Sequence, residues 1–326
     1  MANSIDLVYL WVTSDDPIYK EEREKALRTT WRGRDKTAIA NYRSTDNGEL
    51  ELSLHSALLF APWIRKIHIV VSLGQRPKFP ITDERVQFVD DVHIMPEKAI
   101  PCFNSHAFEA NLHRIPGLSE QFLYANDDEF FGAPVTPSDF FEEKSGLPRM
   151  CGPGEPLPPP GKRCYDFFPG WYSGRCNTST LLHRIFGPVI PPRREAKHQI
   201  RPLLKSVFEQ MWGTGLIRRE LEATTLTPFR HSTNVDPVGL AMQVGKTWGR
   251  AGPDNLGLRT RYVSWYDKTD WGYEGVQLML RRPHLFCIND EQVQHLRKSA
   301  EVMRKTVFTF LRHSAETAAT EITTEE

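Results

Sequence analysis

The sequence lacks long apolar runs, closely spaced cysteine pairs and an excess of charge of either sign. No stretch of about 18 apolar residues predicts a membrane-spanning helix, and the first residues lack the three regions of a signal peptide. Forty-one Lys and Arg residues balance 41 Asp and Glu residues, which argues against nucleic-acid binding. We therefore expect a cytoplasmic protein, with peripheral contact to the inner face of a membrane as the open alternative.

The five cysteines do not form the pattern of a disulfide framework. Their number is odd and no Cys-x-x-Cys pair occurs, which is typical of a reducing compartment. Cys151, Cys164 and Cys176 could together bind zinc, but their wide spacing differs from that of zinc fingers and ribbons. The spacing argues against a zinc site.

Strand and helix patterns alternate through the first half of the chain. Apolar runs at 5–12, 64–72, 85–90 and 121–127 predict strands, and helices are predicted between them. Asp16 and Pro17 suit the N-cap and first position of one helix, and Leu50, Leu54 and Leu58 have the spacing of a core-facing second helix. This alternation predicts an α/β fold with a Rossmann-like sheet flanked by helices and ligand loops at the carboxyl ends of the strands.

We predict one domain over residues 1–312, made of three parts. These are an α/β half (5–143), a Pro/Gly-rich insertion without regular structure that covers a site (144–195), and a mainly helical part (196–312). Helices are predicted at 201–212, 236–249 and 291–313. The apolar stripe of the last helix should pack on the domain, with a membrane or partner surface as the minority interpretation. The polar tail 313–326 is predicted to be disordered.

Paired acids follow the predicted strand in FLYANDDEFFG. Asn126, Asp127 and Asp128 should emerge at the carboxyl edge of the sheet. Adjacent carboxylates can hold Mg²⁺ or Mn²⁺ and leave the ion open to diphosphate oxygens. A polar β-turn is the alternative, because Asn and Asp favour turns.

Histidines occur beside acids and arginines in three polar stretches. His106, Glu109 and His113 have helical spacing for metal binding or proton transfer, or for a solvated stripe capped by Asn104 or Ser105. His198 lies near three arginines in REAKHQIRP, and Arg230 precedes a histidine in TPFRHSTNVDP. Arginine binds phosphate in a bidentate fork and histidine is the usual general base.

Two further polar groups are candidates for a site. Arg43, Ser44, Asp46, Asn47 and Glu49 crowd together before an apolar helix, more polar groups than a surface turn needs. Asn289 and Asp290 form either an active-site pair or the cap of the following helix, and capping is favoured for at least one of them.

Taken together, these stretches resemble the Stealth family of hexose-1-phosphate transferases, which includes bacterial capsule polymerases and the animal lysosomal-enzyme N-acetylglucosamine-1-phosphotransferase. Its four conserved regions resemble IDLVYLWVTSDDP, then YRSTDNGELELSLHSALLFAPWIRKIHIVVSLGQRP through FNSHAFEANLHRIPGLSEQFLYANDDEFFG, then KHQIRPLLKSVFEQMW with TPFRHSTNVD, and finally FCIND. Thr13 and Ser14 replace the family's amide or acid and its glycine.

The resemblance implies a GT-A-like phosphotransferase for substituted phosphate groups. It would pass a sugar-1-phosphate, such as N-acetylhexosamine-1-phosphate, from a UDP-sugar to a hydroxyl of an oligo- or polysaccharide. The reaction would form a phosphodiester and release UMP in capsular or exopolysaccharide synthesis. A conventional glycosyltransferase releasing UDP and a non-catalytic sugar-nucleotide-binding module are the alternatives.

The same resemblance assigns expected roles to individual residues. His198 would be the general base, with His106 as its competitor, and Arg230 would steady the transferred phosphate, with Asp46 also in the catalytic group. The metal ligands would be Asp127, Asp128 and Asn289. The expected donor-binding residues are Trp11, Asp16, Arg43, Asp46, Asn47, Asn104 and Ser105.

Overall fold

The computed structural model describes residues 4–29, 44–150, 154–161, 170–188, 193–194, 198–252, 257–266, 268–290 and 296–324. Arg43, Cys151 and Cys164 lie outside these ranges, so their predicted roles stay predictions.

The described residues form eight strands: β1 Ile5–Trp11, β2 Ile67–Val71, β3 Val86–Asp90, β4 Gln121–Asn126, β5 Glu129–Phe131, β6 Arg201–Leu204, β7 Thr260–Trp265 and β8 Leu285–Asp290. The helices in the same residues are α1 Pro17–Thr29, α2 Glu49–Phe60, α3 Ser105–Glu109, α4 Pro137–Phe140, α5 Gly170–Phe186, α6 Lys205–Gly213, α7 Gly215–Thr225, α8 Pro237–Thr247, α9 Trp271–Arg281 and α10 Leu296–Thr324.

The main sheet has the order β3-β2-β1-β4-β6. Strands β1 to β4 are mutually parallel, and β6 pairs with β4 in the antiparallel direction. The continuous burial of β1, β2 and most of β4 is what a parallel sheet covered on both faces requires. This mixed α/β architecture with a parallel-rich sheet and flanking helices confirms the predicted fold class.

A second sheet has the order β5-β8-β7. Only Asp127 and Asp128 separate β4 from β5, so the two acids stand where the chain leaves the main sheet and enters the second. In that sheet β5 and β8 are antiparallel, with Glu129 opposite Cys287. The two sheets therefore meet beside the predicted metal ligands.

An aromatic and aliphatic core joins the second sheet to α2 and α10. Phe130 stacks on Phe286 with 4.8 Å between ring centroids, and Phe310 meets Phe286 edge-on at 5.6 Å. Within the stripe predicted on α10, Met303 and Val307 are fully buried. The prediction that this stripe packs on the domain is confirmed.

The prediction that residues 144–195 lack regular structure is wrong over Gly170–Phe186, which form α5. Gly, Ser, Thr and Asn are poor helix formers, so the local sequence argued against a helix. Burial of Cys176, Leu181 and Leu182 and packing of α5 against α8 override that preference. Tertiary contacts supply the stability that the sequence alone does not.

Two other predicted boundaries were wrong. Residues 201–204 are not helical but form the edge strand β6, where Pro202 is tolerated because an edge position need not donate to a neighbour. The tail predicted to be disordered from residue 313 continues α10 as far as Thr324. Its Ala and Glu residues favour helix, and extending a helix costs less than nucleating one.

Among the described residues, no helix combines the length and apolar character needed to cross a bilayer.

Candidate functional site

A cleft of about 1060 Å³ opens at the carboxyl ends of the central strands of the main sheet. Its lining includes Trp11 at the end of β1, Val71 at the end of β2, Asn126 at the end of β4 and Asn289 at the end of β8. Ligands of open α/β sheets bind at this edge because the strand ends and their loops leave a crevice there. Nine of the residues to which the family resemblance assigns a role line the cleft, namely Trp11, Asn104, Ser105, His106, Asp127, Asp128, His198, Arg230 and Asn289.

Asp128 connects three parts of the chain that are distant in sequence. Its Oδ2 lies 3.5 Å from Nε2 of His198 and accepts a hydrogen bond from the Cys287 thiol at 3.4 Å. Its Oδ1 is buried and has no hydrogen-bond partner among the residues that the structure describes. A buried carboxylate oxygen without a donor is unfavourable, so this oxygen is suited to a cation.

His198 lies between two carboxylates and an arginine. Its Nδ1 lies 3.4 Å from Oε1 of Glu129 and 3.1 Å from Nη2 of Arg201. Shielding from water opposes the charged imidazolium, but the charges of Asp128 and Glu129 outweigh it and raise the pKa of His198. The histidine is therefore a stronger base than an isolated imidazole.

Glu129 is the fully buried member of this cluster. One carboxylate oxygen accepts a hydrogen bond from the backbone N–H of Asn126 at 3.1 Å, and the other lies 3.6 Å from Nη1 of Arg201. Burial raises its pKa, which the charges of Arg201 and His198 partly offset. Glu129 thereby holds both His198 and Arg201 against the carboxyl end of β4.

A second concentration of carboxyl groups surrounds Asp127. Loss of solvent and the neighbouring charges of Asp128, Glu49 and Asp46 raise the pKa of Asp127 well above its usual range. Burial likewise raises the pKa of Glu49 to about 8, with a further contribution from Asp46. So many carboxyl groups in one place favour either protonation or a bound cation.

The residues present fit a hard divalent ion such as Mg²⁺. Asp127 and Asp128 line the cleft and offer oxygen ligands, and a cation would stabilise the buried Oδ1 of Asp128. Asn289 lines the same cleft and donates its amide nitrogen to the Tyr262 hydroxyl at 2.6 Å, which fixes the orientation of its side chain.

A further set of hydrogen-bonded polar side chains lies around α3. Of the two caps considered from the sequence, Asn104 and Ser105, it is Asn104 that caps this helix, by accepting from the His106 backbone N–H at 3.1 Å. Its amide nitrogen also reaches Asn234 at 3.0 Å and so ties α3 to the segment after α7. Arg230 donates to the Ser105 hydroxyl at 2.6 Å. The guanidinium is thus positioned by the start of α3.

Glu109, at the end of α3, lines the cleft and is almost completely buried. The hydroxyl of Tyr124 lies 3.1 Å from its Oε1 and 3.0 Å from Oδ1 of Asn126. Burial, reinforced by the charge of Asp236 and opposed by that of Arg230, raises the pKa of Glu109 to about 7. A carboxyl group with this pKa can exchange a proton near neutral pH.

The predicted grouping of His106, Glu109 and His113 on one helix face was wrong for His113. Helix α3 ends at Glu109, and His113 belongs to a short 3₁₀ turn, Leu112–Arg114. Its ring packs against Phe208 and Trp212 instead, and burial lowers its pKa to about 4. His113 therefore has a packing role.

Three proposed donor-binding residues do not line the cleft. Asp16 caps α1 by accepting from the Tyr19 N–H at 2.9 Å. Asp46 accepts from the Trp11 indole at 3.1 Å and from the Gly48 N–H at 2.8 Å. Asn47 donates its side chain to Glu49 at 3.0 Å. These contacts shape the loop beside the cleft.

Asn289 and Asp290 both belong to β8 and line the cleft. The described part of α10 begins at Leu296 and residues 291–295 lie outside the described ranges, so the capping of this helix by one of the two stays a prediction. Sequence reasoning also passed over Glu129, Tyr124 and Cys287. The signal for Glu129 was its position directly after the two acids, whereas nothing local marked Cys287.

Several proteins are similar to this chain. An exopolysaccharide phosphotransferase of Streptomyces coelicolor is 35% identical over 297 residues, which is 88% of this chain and 47% of that protein. Exopolysaccharide phosphotransferase CpsY of Mycobacterium tuberculosis is 34% identical over 88% of this chain and 52% of its own length. A capsular polysaccharide phosphotransferase of Haemophilus influenzae is 28% identical over 88% of this chain and 78% of its own length.

The chain spans about half the length of the first two of these relatives. Among solved structures, a galactosyltransferase, LgtC, in complex with donor and acceptor sugar analogs aligns over 93% of this chain and 95% of its own. At 8% identity and a TM-score of 0.40 this alignment does not establish a shared fold. Residues 43–148 match the family model described as Stealth protein CR2, conserved region 2, and together with the relatives this match shows that the chain belongs to the Stealth family.

Proposed function

We propose that this chain transfers a sugar-1-phosphate, specifically N-acetylhexosamine-1-phosphate, from a UDP-sugar to a hydroxyl group of a saccharide. The product is a phosphodiester, UMP is released, and the reaction serves capsular or exopolysaccharide synthesis. The observation that supports this most strongly is the contact between Asp128 and His198, at 3.5 Å, in a cleft that is also lined by Arg201 and Arg230.

Phosphoryl transfer depends on charge neutralisation and positioning more than on covalent catalysis. Arg230 is held by Ser105 and Arg201 by Glu129 and His198, so both guanidinium groups are oriented before substrate arrives. Arginine forks match phosphate oxygens well. These two side chains would bind the diphosphate and the transferred phosphate.

His198 would accept the proton of the attacking hydroxyl. The carboxylates of Asp128 and Glu129 raise the pKa of His198 and stabilise the imidazolium that forms. The same shift reduces the neutral, proton-accepting fraction at neutral pH. We therefore expect the rate to rise with pH until His198 is fully deprotonated.

Asp127, Asp128 and Asn289 would hold Mg²⁺ or Mn²⁺, whose charge would neutralise the donor diphosphate when the ion is bound. Asp128 would then contact both the ion and His198. Asn104 and Ser105, with Trp11 from β1, would form the part of the donor site that lies in the cleft.

The test is a nucleotide-release assay with UDP-N-acetylglucosamine, Mg²⁺ and a short phosphate-linked saccharide acceptor. Wild type should release UMP only with acceptor present, and Asp127→Asn and Asp128→Asn should lose on the order of 10²-fold or more in kcat. Asp15→Asn is the matched control, because Asp15 pairs with Lys78 on the surface outside the cleft.

Release of UDP would show cleavage of the sugar–phosphate bond and contradict phosphodiester formation. Absence of turnover with a panel of UDP-sugars, together with retained nucleotide binding, would identify a sugar-nucleotide-binding module instead.

A further inference from the structure

Part of the cleft is lined by residues of the insertion that have no role in the proposed chemistry. Gly154, Glu155, Leu157, Arg194 and the start of α5 contribute to this part. Arg194 Nε donates to the Gly154 carbonyl at 2.9 Å, and the Gln243 side chain of α8 donates to the Arg194 carbonyl at 2.7 Å. These bonds fix the described insertion segments to the domain beside the cleft.

Trp171, in the first turn of α5, lines the cleft and is 46% exposed. The Arg175 guanidinium lies over its ring at 5.5 Å, and the Tyr172 ring meets it edge-on at 5.7 Å. A large aromatic surface left open in a cleft indicates a binding surface, because a bound ligand can cover the ring and release the water on it. The Arg175 and Tyr172 contacts limit the motion of the indole.

Gln199 provides a second, independent observation. Its side chain is 3% exposed and lines the same cleft, and its Oε1 has no hydrogen-bond partner within the described part of the chain. An unsatisfied buried carbonyl oxygen is unfavourable, so a ligand that donates a hydrogen bond to it gains affinity. Gln199 directly follows His198 in the sequence.

We propose that Trp171 and Gln199 form the subsite for the acceptor saccharide. The apolar C–H face of one hexopyranose ring packs on the Trp171 indole, and a hydroxyl of the same oligosaccharide donates to Gln199 Oε1. An oligosaccharide offers both apolar ring faces and hydroxyl donors, which are the two kinds of group that these side chains bind. This inference rests on the proposed function, since it assigns the acceptor end of the same cleft.

The experiment measures binding and turnover separately, with a short oligosaccharide of phosphate-linked N-acetylhexosamine as the probe. Binding without donor is measured by calorimetry for wild type, Trp171→Ala, Trp171→Phe and Gln199→Leu. Tyr273→Ala is the matched control, because Tyr273 is 57% exposed and lies outside the cleft. Melting temperatures identify any variant that fails to fold.

We expect Trp171→Ala to weaken oligosaccharide binding about tenfold and Gln199→Leu about fivefold. Trp171→Phe, which keeps an aromatic face, should weaken it about twofold, and Tyr273→Ala should bind like wild type. In the nucleotide-release assay Trp171→Ala and Gln199→Leu should raise the KM for acceptor but not the KM for UDP-sugar.

Wild-type affinity in both Trp171→Ala and Gln199→Leu, or no binding of the oligosaccharide to wild type, would overturn the inference. Failure of the proposed function gives a different result, namely binding that depends on Trp171 and Gln199 without any UMP release. If Gln199→Leu does not fold, the comparison of Trp171→Ala with Trp171→Phe still tests the inference, because the Trp171 side chain is half exposed.

Discussion

Replacing Glu109 by glutamine should increase the free energy of unfolding at about pH 8 and change it little at about pH 4. Glu109 is 8% exposed, and its pKa in the folded chain is about 7 because burial and Asp236 disfavour the carboxylate. In the unfolded chain the carboxyl group has its usual pKa of 4.5. Between these two values the folded state binds the proton and the unfolded state does not, so stability falls as pH rises.

The size of the effect follows from the two pKa values. Going from 4.5 to about 7 is a change of about 2.5 in pKa, and each tenfold change in a dissociation constant is worth about 1.4 kcal/mol. Ionisation of Glu109 therefore costs the native state roughly 3 kcal/mol once the pH exceeds 7. Glutamine keeps an acceptor oxygen for Tyr124, which lies 3.1 Å from Oε1, and removes the charge.

The assay is urea-induced unfolding of wild type and Glu109→Gln over a pH series. The stability difference should grow from near zero at about pH 4 to about 3 kcal/mol above pH 7, with equal m-values. A difference that is the same at every pH, or a variant that is less stable than wild type at alkaline pH, would refute the argument. If the stabilised variant also loses UMP release, the buried carboxyl is retained for function at the expense of stability.

Three other predictions concern stability, site geometry and metal dependence. Asp6→Asn should lower the free energy of unfolding by about 2 kcal/mol at neutral pH, because buried Asp6 accepts two hydrogen bonds from Arg65 and has a lowered pKa. That loss should shrink as pH falls below the usual pKa of Asp6, and a loss that persists in acid would contradict the ionic explanation. Gly174→Ala would place a methyl group 3.0 Å from the His106 ring and should lower the melting temperature and UMP release, whereas Gly215→Ala, with nothing within 4 Å, should not. Chelation with EDTA should abolish UMP release and Mg²⁺ should restore it, while full activity in EDTA would refute the metal assignment.

Local sequence patterns predicted those strands and helices in which the apolar residues of the pattern are also the residues that the fold buries. Strands β1, β2 and β4 are largely buried runs of apolar residues, whereas the edge strand β3 is only partly buried. Helix α1 begins at Pro17 with Asp16 as its predicted cap. The apolar stripe of α10 could be predicted because its residues have helical spacing and are also buried. Prediction failed where packing overrides propensity, as in α5, and where an edge strand resembles the start of a helix, as in β6.

The amino-acid sequence specified the class of fold and the kinds of side chain available for a site: paired acids after β4, a histidine among arginines, and polar residues at helix starts. It did so because strand ends and caps are local features with local signals. Which of these side chains meet in one site depends on how the strands and helices pack in three dimensions. Asp128 contacts His198 and Cys287 across segments far apart in the chain, and Glu129 is buried against His198. Such contacts depend on sheet order and on the pairing of β5 with β8, which no local stretch specifies.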